Sequence, residues 1–228
     1  NTLYWFDDTG HALEGTREEA WLAARDHAVN FAEAYMNAGY HKQIPNRLLE
    51  PFMWIDVLST ANLDAWNAMI HLRDHKDAEP HFQDLAKLVG KAIDEAEYQE
   101  LLPGEWHLPY VSLLEPALDK YARDHGLDLM EVAKQVSAAR CARISYTPFD
   151  GNGSIEREVE RYQLLVTSER THASPLEHQC CPDSMSTYRR QVKVQDHWMN
   201  VSEGNEFNHP ELSGNLGPGW IQFRKEIE

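Results

Sequence analysis

Three segments of the chain concentrate arginine, histidine and carboxylate side chains within a few residues of one another. They span residues 41–54, 72–82 and 137–146. Arginine suits a phosphate or a carboxylate, because its planar guanidinium donates two parallel hydrogen bonds. The chain carries only 21 basic residues against 37 acidic ones, so the places where arginines gather are informative. A small phosphorylated ligand is therefore a candidate wherever these arginines converge.

The first two segments each place an arginine near an expected helix end. Arg47 lies close to a helix start predicted at Pro45, where unpaired N–H groups and the helix dipole favour an anion. The alternative is a buried arginine paired with Glu50. Arg73 closes one predicted helix, and acidic and histidine residues open the next. This second segment can equally be an interhelical turn whose charges are solvated.

The third segment is followed at a distance by His-Ala-Ser-Pro-Leu-Glu-His at residues 172–178. Together with Cys180 and Cys181, these histidines invite a zinc interpretation. Structural zinc sites usually present two spaced ligand pairs, however, and adjacent cysteines rarely bind one ion, so we predict no metal site. A cysteine–histidine nucleophile is the other option, although nothing in the sequence marks a cysteine as activated.

Composition narrows the class of protein. The net charge of −16 repels polyanions, so a nucleic-acid polymer is not an expected partner. No run approaches the roughly 18 apolar residues that a membrane span needs, and the first residues do not form a signal peptide. The three cysteines are an odd number, which argues against a disulfide framework. These features predict a cytoplasmic protein without a membrane partner.

Helical periodicity dominates the predicted elements. The expected helices cover residues 16–39, 45–58, 62–75, a stretch from residue 80, and residues 115–124, 129–142 and 154–170. Four residues are expected to cap them, namely Thr16, Asn62, Asp128 and Ser154. Residues 144–147 favour a short strand, residues 150–153 a turn and residues 220–223 a closing strand. No other regular pattern is visible after Gln179.

The blocks Ser-Ala-Ala-Arg-Cys-Ala-Arg-Ile-Ser-Tyr (137–146) and His-Ala-Ser-Pro-Leu-Glu-His (172–178) resemble those of the flavin-dependent thymidylate synthases. In that family the second block contacts the flavin. The first two arginine segments resemble the nucleotide-binding half of the family, and the 26-residue step from Arg47 to Arg73 suits that pairing. Blocks at 41–52, 104–109 and 219–225 are similar to a phage-type branch. The resemblance covers about residues 16 to 225.

The resemblance implies conversion of dUMP to dTMP, with FAD as cofactor and NADPH and methylenetetrahydrofolate as co-substrates. By matching motifs, Arg73 would be the catalytic residue that polarises the uracil, and both Arg73 and Arg47 would bind the nucleotide. The same resemblance assigns five residues to the cofactor: His172, Ser174, Glu177, Asn62 and Glu79.

The resemblance also implies a fold. It is an α/β (α+β) fold, a helix-rich mixed sheet flanked by helices as in the thymidylate synthase-complementing-protein fold. One domain is expected over residues 1–228, with a helical part at about 16–100 and the His-x-Ser-Pro part at about 128–228. The family assembles as a homotetramer whose flavin sites are shared between subunits, in the host cytoplasm if the protein is phage-encoded.

Four departures from the family keep alternatives open. The Arg-His-Arg-x-x-Ser signature is absent, and in the phage-type branch it would lie upstream of Asn1. Ala68 stands where the family has an Asn, and Asp77 stands where some members have a His. Glu79 replaces a neutral amide. One alternative is a phage pyrimidine-modifying relative that adds another one-carbon unit, such as hydroxymethyl, to dUMP or dCMP. The others are a non-catalytic nucleotide-binding scaffold and an acidic helical interaction domain without a small ligand.

Overall fold

The computed structural model of the protein describes residues 2–144, 151–169, 171–195 and 197–228. The α-helices in these ranges are α1 (Arg17–Asn37), α2 (Gln43–Leu49), α3 (Leu63–Arg73), α4 (Pro80–Glu95), α5 (Pro116–His125), α6 (Leu129–Ala142), α7 (Ile155–Thr167) and α8 (Phe223–Ile227). The strands are β1 (Leu3–Phe6), β2 (Ala12–Gly15), β3 (Cys180–Pro182), β4 (Met185–Val194), β5 (His197–Phe207) and β6 (Trp220–Gln222). Short 3₁₀ turns lie at Glu50–Phe52, Ser174–Glu177, Pro210–Leu212 and Gly214–Leu216.

The chain divides into two compact units, Asn1–Asp56 and Val57–Glu228. The boundary falls inside the helical part expected over residues 16–100. The single domain expected over the whole chain stays a prediction. The first unit contains Arg47, and the second contains the other residues assigned to the site.

The first unit joins the β1–β2 hairpin to α1 and α2. The predicted capping box of α1 is confirmed. The Thr16 hydroxyl accepts from the Glu19 N–H at 3.2 Å, and the Glu19 carboxylate accepts from the Thr16 N–H at 2.8 Å. Gly39 lies just past the end of α1 with φ +78°, a conformation that only glycine adopts without strain. The Trp21 and Phe52 rings lie 4.9 Å apart and connect α1 to the 3₁₀ turn after α2.

The second unit is organised around α6. Eight of its fourteen residues are buried, so this helix contributes to both hydrophobic clusters of the unit. In the first cluster Val132, Ala133 and Val136 of α6 pack with α5 and with the start of α7. In the second cluster Ala138 and Ala139 pack with residues from α7, the Ser174–Glu177 turn and α8. Because α6 contacts both clusters, it fixes the turn at residues 174–177 relative to the helices.

The predicted caps of three further helices are confirmed. The side chains of Asn62, Asp128 and Ser154 accept hydrogen bonds from backbone N–H groups in the first turns of α3, α6 and α7. Helix α7 ends at Thr167, earlier than the predicted residue 170. Residues 145–150 lie outside the described residues, and most of the strand predicted at 144–147 falls among them.

The strands after residue 179 are the main correction to the sequence analysis. Strands β4 and β5 pair antiparallel over ten residues or more, where only an irregular region is expected before residue 220. Gly204 does not interrupt β5. It lies opposite Tyr188, and a Cβ at Gly204 would come within 3.1 Å of the Tyr188 ring. The glycine therefore leaves room for an aromatic ring across the ladder. The predicted closing strand is confirmed as β6, but α8 begins at Phe223.

The prediction of a helix-rich α/β chain is confirmed at the level of the fold class. Within the described ranges the strands form three two-stranded antiparallel sheets: β1–β2, β3–β6 and β4–β5. The β3–β6 sheet matters most for the candidate site, because β3 follows the His172–His178 segment directly and β6 precedes Arg224.

Candidate functional site

The segment His172–His178 forms a turn with an anchored base and an exposed face. Leu176 is fully buried in the second cluster, and the His172 N–H donates to the Leu165 carbonyl at 2.9 Å. His172 and Ser174 are exposed, and neither side chain has a hydrogen-bond partner among the described residues. The turn therefore presents two polar side chains outward from a rigid support, an arrangement suited to binding a ligand.

Glu177 is held by side chains from the C-terminal segment. Arg224 Nη1 donates to Glu177 Oε1, and Asn215 Nδ2 lies 3.4 Å from Glu177 Oε2. Gln222 Nε2 donates to the Glu177 carbonyl at 2.9 Å. Both the carboxylate and the backbone of Glu177 are thus occupied by the protein itself. These contacts suit a residue that holds the turn more than one that contacts a ligand directly.

His178 connects the turn to the segment before α3. Its Nδ1 lies 3.0 Å from Thr60 Oγ1. Partial burial lowers the pKa of His178; Glu177 opposes this shift, whereas His107 adds to it. His178 is therefore neutral at pH 7, with one ring nitrogen engaged by Thr60. Neither Thr60 nor His107 was singled out as a single residue by the sequence analysis.

Asn62 lies beside the same region. Its Oδ1 accepts from the Ala65 N–H at 2.8 Å and caps α3, while its Nδ2 donates to the Leu216 carbonyl at 3.0 Å. The neighbouring Asn215 contacts Glu177, so one short stretch of chain bridges Asn62 and the turn. Both ends of the Asn62 amide are used within the protein. Its assignment to the cofactor stays a prediction.

Arg73 lies at the other end of α3 from Asn62. An eleven-residue helix is about 16 Å long, so the structure does not bring these two assigned residues together. Arg73 is exposed, and its guanidinium carbon lies 5.2 Å from the centre of the Phe82 ring at the start of α4. No carboxylate pairs with Arg73 among the described residues. A cation held over a ring and without a counter-ion is available to a ligand.

Glu79 shares this end of the α3–α4 pair with Arg73, but its carboxylate is occupied. Oε2 accepts from the Phe82 N–H at 2.8 Å, capping α4, and Oε1 lies 2.7 Å from His81 Nδ1. The hydrogen bond to His81, followed by the one to Phe82, lowers the pKa of Glu79 and keeps it ionised. The α4 N-terminus therefore already holds an anion. This position fits a cap, and its assignment to the cofactor stays a prediction.

The expectation for Arg47 is corrected in two respects. Helix α2 begins at Gln43 and ends at Leu49, so Arg47 lies in its last turn and the helix N-terminus does not face this side chain. Pro51 has no N–H to continue the helix, and a 3₁₀ turn follows instead of the predicted extension to residue 58. Arg47 Nη1 lies 3.8 Å from Glu50 Oε1, but the Arg47 side chain is 77% exposed, so the alternative of a buried pair is wrong as well.

The arginines of the third segment are committed to structural ion pairs. Arg140 donates through both Nη atoms to the Glu115 carboxylate at 3.0 and 2.9 Å. Arg143 donates to Glu158 at 2.9 and 2.6 Å, and Glu158 is fully buried. Arg140 binds its carboxylate through two parallel hydrogen bonds and Arg143 directs two donors at one buried oxygen, so both have little capacity left for a ligand. Of the four arginines that the sequence analysis singled out, Arg73 is the one without a carboxylate partner in the described part of the chain.

The cysteines are poorly suited to nucleophilic chemistry. Burial raises the pKa of Cys141 to about 11 and that of Cys180 to about 12. Burial also raises the pKa of Cys181. All three thiols are therefore protonated near neutral pH, whereas nucleophilic attack and metal binding need the thiolate. Among the residues that the structure describes, no group of three histidine, cysteine or acidic side chains could hold a metal ion.

No protein-family model, no curated protein and no solved structure matches this chain. In the described ranges, no helix has both the length and the apolar character needed to cross a membrane. Any functional assignment therefore depends on the residues themselves and on their geometry.

The residues that hold the turn come from a distant part of the chain. Arg224, Asn215 and Gln222 all contact Glu177, yet they lie 38 to 47 residues away along the chain. The sequence does mark two of these residues, because Gln222 and Arg224 belong to the block at 219–225 that is part of the resemblance. Linear spacing alone does not show which residue of the turn such a block would contact.

Proposed function

We propose that this protein is a flavin-dependent thymidylate synthase that methylates dUMP to dTMP. The proposal includes FAD as the cofactor and NADPH and methylenetetrahydrofolate as co-substrates. The observation that carries it is the turn at residues 172–178. It combines the motif that resembles the family's flavin-contacting block with a geometry that holds Leu176 and Glu177 and leaves His172 and Ser174 exposed.

The residues of the turn fit a flavin. A histidine ring and a serine hydroxyl that have no partners among the described residues can pack against and hydrogen-bond a planar heterocycle with polar edges. When bound and reduced, the flavin supplies the hydride that completes the methyl group. The protein's part is to orient this cofactor. An anchored turn does so at a lower entropic cost than a flexible loop.

Arg73 is proposed to activate the pyrimidine. Its guanidinium lies against the Phe82 ring, and no ion pair competes for it in the described ranges. Hydrogen bonds from this cation to a uracil carbonyl oxygen would stabilise the negative charge that develops as carbon 5 becomes nucleophilic. The buried, protonated cysteines agree with a reaction that needs no enzymic thiolate.

Arg47 is proposed to bind the nucleotide phosphate. Its only carboxylate contact in the described ranges is the long one to Glu50, so an incoming phosphate can displace it at little cost. The proposal further includes a homotetramer with shared flavin sites, the mixed sheet flanked by helices expected of the family, and a location in the cytoplasm of the cell or phage host.

The first test is an absorbance spectrum of the full-length gene product, with FAD added and then with dUMP. We expect flavin absorbance bands that shift when dUMP is added, because the proposed reaction brings the pyrimidine and the flavin into contact. A protein that takes up no flavin would refute the proposal and leave the nucleotide-binding scaffold. The product formed with methylenetetrahydrofolate and NADPH then separates methylation from hydroxymethylation.

The second test concerns Arg73. Arg73→Met should reduce turnover by a factor of at least about 100, as expected when a charge-stabilising donor is removed, with FAD binding retained. Arg123→Met is the matched control. Arg123 is also exposed near the end of a helix, but it pairs with Asp119 at 2.7 Å and belongs to no candidate motif. Equal activity in the two variants would exclude Arg73 as the catalytic residue.

A further inference from the structure

We propose that Arg224 is a positioning residue that acts through Glu177 to hold His172 and Ser174 in their ligand-binding arrangement. The identity of the ligand as a flavin rests on the proposed function. The positioning role rests on contacts within the second unit and can be tested separately.

The Arg224 guanidinium is shared between two carboxylates. Nη1 donates to Glu177, and Nε donates to Glu228 Oε1 at 2.6 Å. The Arg224 side chain is 32% exposed and that of Glu177 is 26% exposed, so this pair is better shielded from solvent than an ordinary surface pair. The fork geometry of arginine allows both contacts at once, whereas a lysine would supply one ammonium group in place of two spaced donors.

Gln222 and Asn215 form a second set of contacts to Glu177, one to its backbone and one to its carboxylate. Gln222 is 1% exposed, and its Nε2 reaches both the Glu177 carbonyl at 2.9 Å and Asn215 Oδ1 at 2.5 Å. Asn215 in turn contacts Glu177 Oε2. Gly214 has φ +56°, and a Cβ there would overlap the Gln222 amide. The close approach at Gly214 therefore keeps Gln222 in reach of Glu177.

The backbone ties the two segments together as well. Strands β3 and β6 pair with Cys180 opposite Gln222, and the Phe223 N–H donates to the Gln179 carbonyl at 3.0 Å. The chain that leaves the turn is thus bound to the chain that leads into Arg224. This arrangement sets Arg224 at a fixed distance from Glu177.

The geometry of the 3₁₀ turn transmits this restraint to Ser174. Side chains three residues apart eclipse each other in a 3₁₀ helix, so Ser174 and Glu177 lie on the same side of the Ser174–Glu177 turn. Rotation of the turn about its axis would move both together. Fixing the Glu177 carboxylate therefore restrains the direction in which Ser174 is presented, while His172, just before the turn, is also tied by its N–H to the Leu165 carbonyl.

Arg224 also neutralises charge near the turn. The whole chain carries a net charge of −16, and FAD has a negatively charged diphosphate. An unpaired Glu177 beside the turn would repel such a cofactor. Arg224 removes this repulsion while it orients the carboxylate.

The test compares FAD affinity of the full-length protein with that of the Arg224→Met, Arg224→Lys and Lys225→Met variants, by quenching of flavin fluorescence. Lys225 is the matched control because it is adjacent, similarly exposed and paired with Glu228 but not with Glu177. We expect Arg224→Met to weaken FAD binding about tenfold or more. Arg224→Lys should restore part of the affinity, and Lys225→Met should change it less than about twofold.

A double variant separates positioning from a direct contact between Arg224 and FAD. If Arg224 acts through Glu177, then Glu177→Gln combined with Arg224→Met should bind FAD no more weakly than Arg224→Met alone. The proposal would be overturned if the losses of FAD affinity from the two substitutions were additive. It would also be overturned if the Arg224→Met variant bound FAD as tightly as the Lys225→Met variant.

Failure of the proposed function gives a different result. If the wild-type protein takes up no FAD, the flavin assignment is lost, and the positioning role is then decided by backbone amide NMR resonances. Arg224→Met should shift the resonances of His172 and Ser174, whereas Lys225→Met should leave them in place. Unshifted resonances in Arg224→Met would show that Arg224 does not control the turn.

Discussion

At the scale of single residues, the partners of a charged side chain separate structural roles from functional ones. Arg140 and Arg143 stand in a motif that resembles a functional block, yet each has a carboxylate at hydrogen-bonding distance. Within the described ranges, Arg73 has only the face of the Phe82 ring. Because a buried or bidentate pair is costly to break, a ligand competes more easily for Arg73 than for the other two. The same comparison identifies Lys134 as a structural cation.

Lys134 lies between two carboxylates and two aromatic rings. Its side chain is 5% exposed, and Nζ lies 2.5 Å from Glu131 and 2.7 Å from Glu226. Nζ also lies 4.5 Å from the centre of the Trp106 ring. Lys134→Ala would leave both carboxylates without this partner and open a gap beside the ring, so we expect a loss of about 2–3 kcal/mol in the free energy of unfolding. Urea denaturation measures it.

The pH dependence of this loss has a defined sign. Burial opposes ionisation of Lys134, but hydrogen bonds to Glu131 and Glu226 outweigh it and raise the pKa above the ordinary value of 10.5. The stabilisation is therefore complete below about pH 10 and is lost as the pH rises through the folded-state pKa. The difference in the free energy of unfolding between wild type and Lys134→Ala should therefore narrow as the pH rises through that pKa. Lys120→Ala, which removes an exposed pair with Asp124, should cost clearly less stability than Lys134→Ala; an equal cost would show that exposure does not distinguish the two pairs.

At the scale of elements, the sequence predicts what is encoded locally. The caps Thr16, Asn62 and Ser154 are found where expected, because capping needs one side chain and the N–H groups two or three residues on. The β4–β5 hairpin was missed. Gly204 in the sequence suggests a break, and only the opposite strand shows that Tyr188 fills the space beside it. Strand pairing is a non-local property that a single window of sequence does not contain.

The candidate site follows the same division. The exposed side chains His172 and Ser174 belong to one short motif, so they could be proposed as ligand-binding residues from the sequence. The contacts that support them could not, because Glu177 and Arg224 are brought together by the β3–β6 pairing. Helix periodicity has a related limit. It predicts an apolar face on α4, but Leu88 on that face is 65% exposed, since periodicity does not say what covers a face.

Substitutions of Asn62 test whether this residue acts as the cap of α3 or as a contact to the cofactor. Asn62→Ala removes both the α3 cap and the hydrogen bond to the Leu216 carbonyl, and should cost about 2 kcal/mol. Asn62→Ser keeps a capping oxygen but cannot reach Leu216, so about 1 kcal/mol or less is expected. Ser154→Ala, which removes only the α7 cap, is the control at about 1 kcal/mol. Thermal or urea unfolding gives the three values.

Flavin affinity in the same variants decides the role of Asn62. If the side chain acts only through α3, Asn62→Ser should bind FAD nearly as well as wild type. If Asn62 contacts the cofactor directly, both substitutions should weaken binding to the same extent, and the cap would not account for the assignment.

At the scale of the whole molecule, strong negative charge and exposed apolar surface coexist. The chain has a net charge of −16, while Phe82, Leu85 and Leu88 on one face of α4 are each between 45% and 65% exposed. Exposed apolar side chains that share one helix face can pack against another subunit. Like charges on identical subunits repel, so apolar burial and electrostatic repulsion oppose each other in any homo-oligomer of this chain.

The proposed homotetramer should therefore be strengthened by salt. The Debye length is about 10 Å at 0.1 M salt and is shorter at 0.5 M NaCl. Repulsion between subunits is therefore screened more strongly at 0.5 M NaCl, whereas apolar burial is not weakened. Light scattering with size exclusion should show four times the chain mass of 26.3 kDa, with dissociation on dilution at low salt. Leu85→Glu combined with Leu88→Glu should produce smaller species at every salt concentration. Lys87→Glu makes the same change in charge, so its assembly should depend on salt but should be restored at high salt. If Lys87→Glu dissociates the protein as much as the double leucine variant does, charge and not the apolar face of α4 controls assembly.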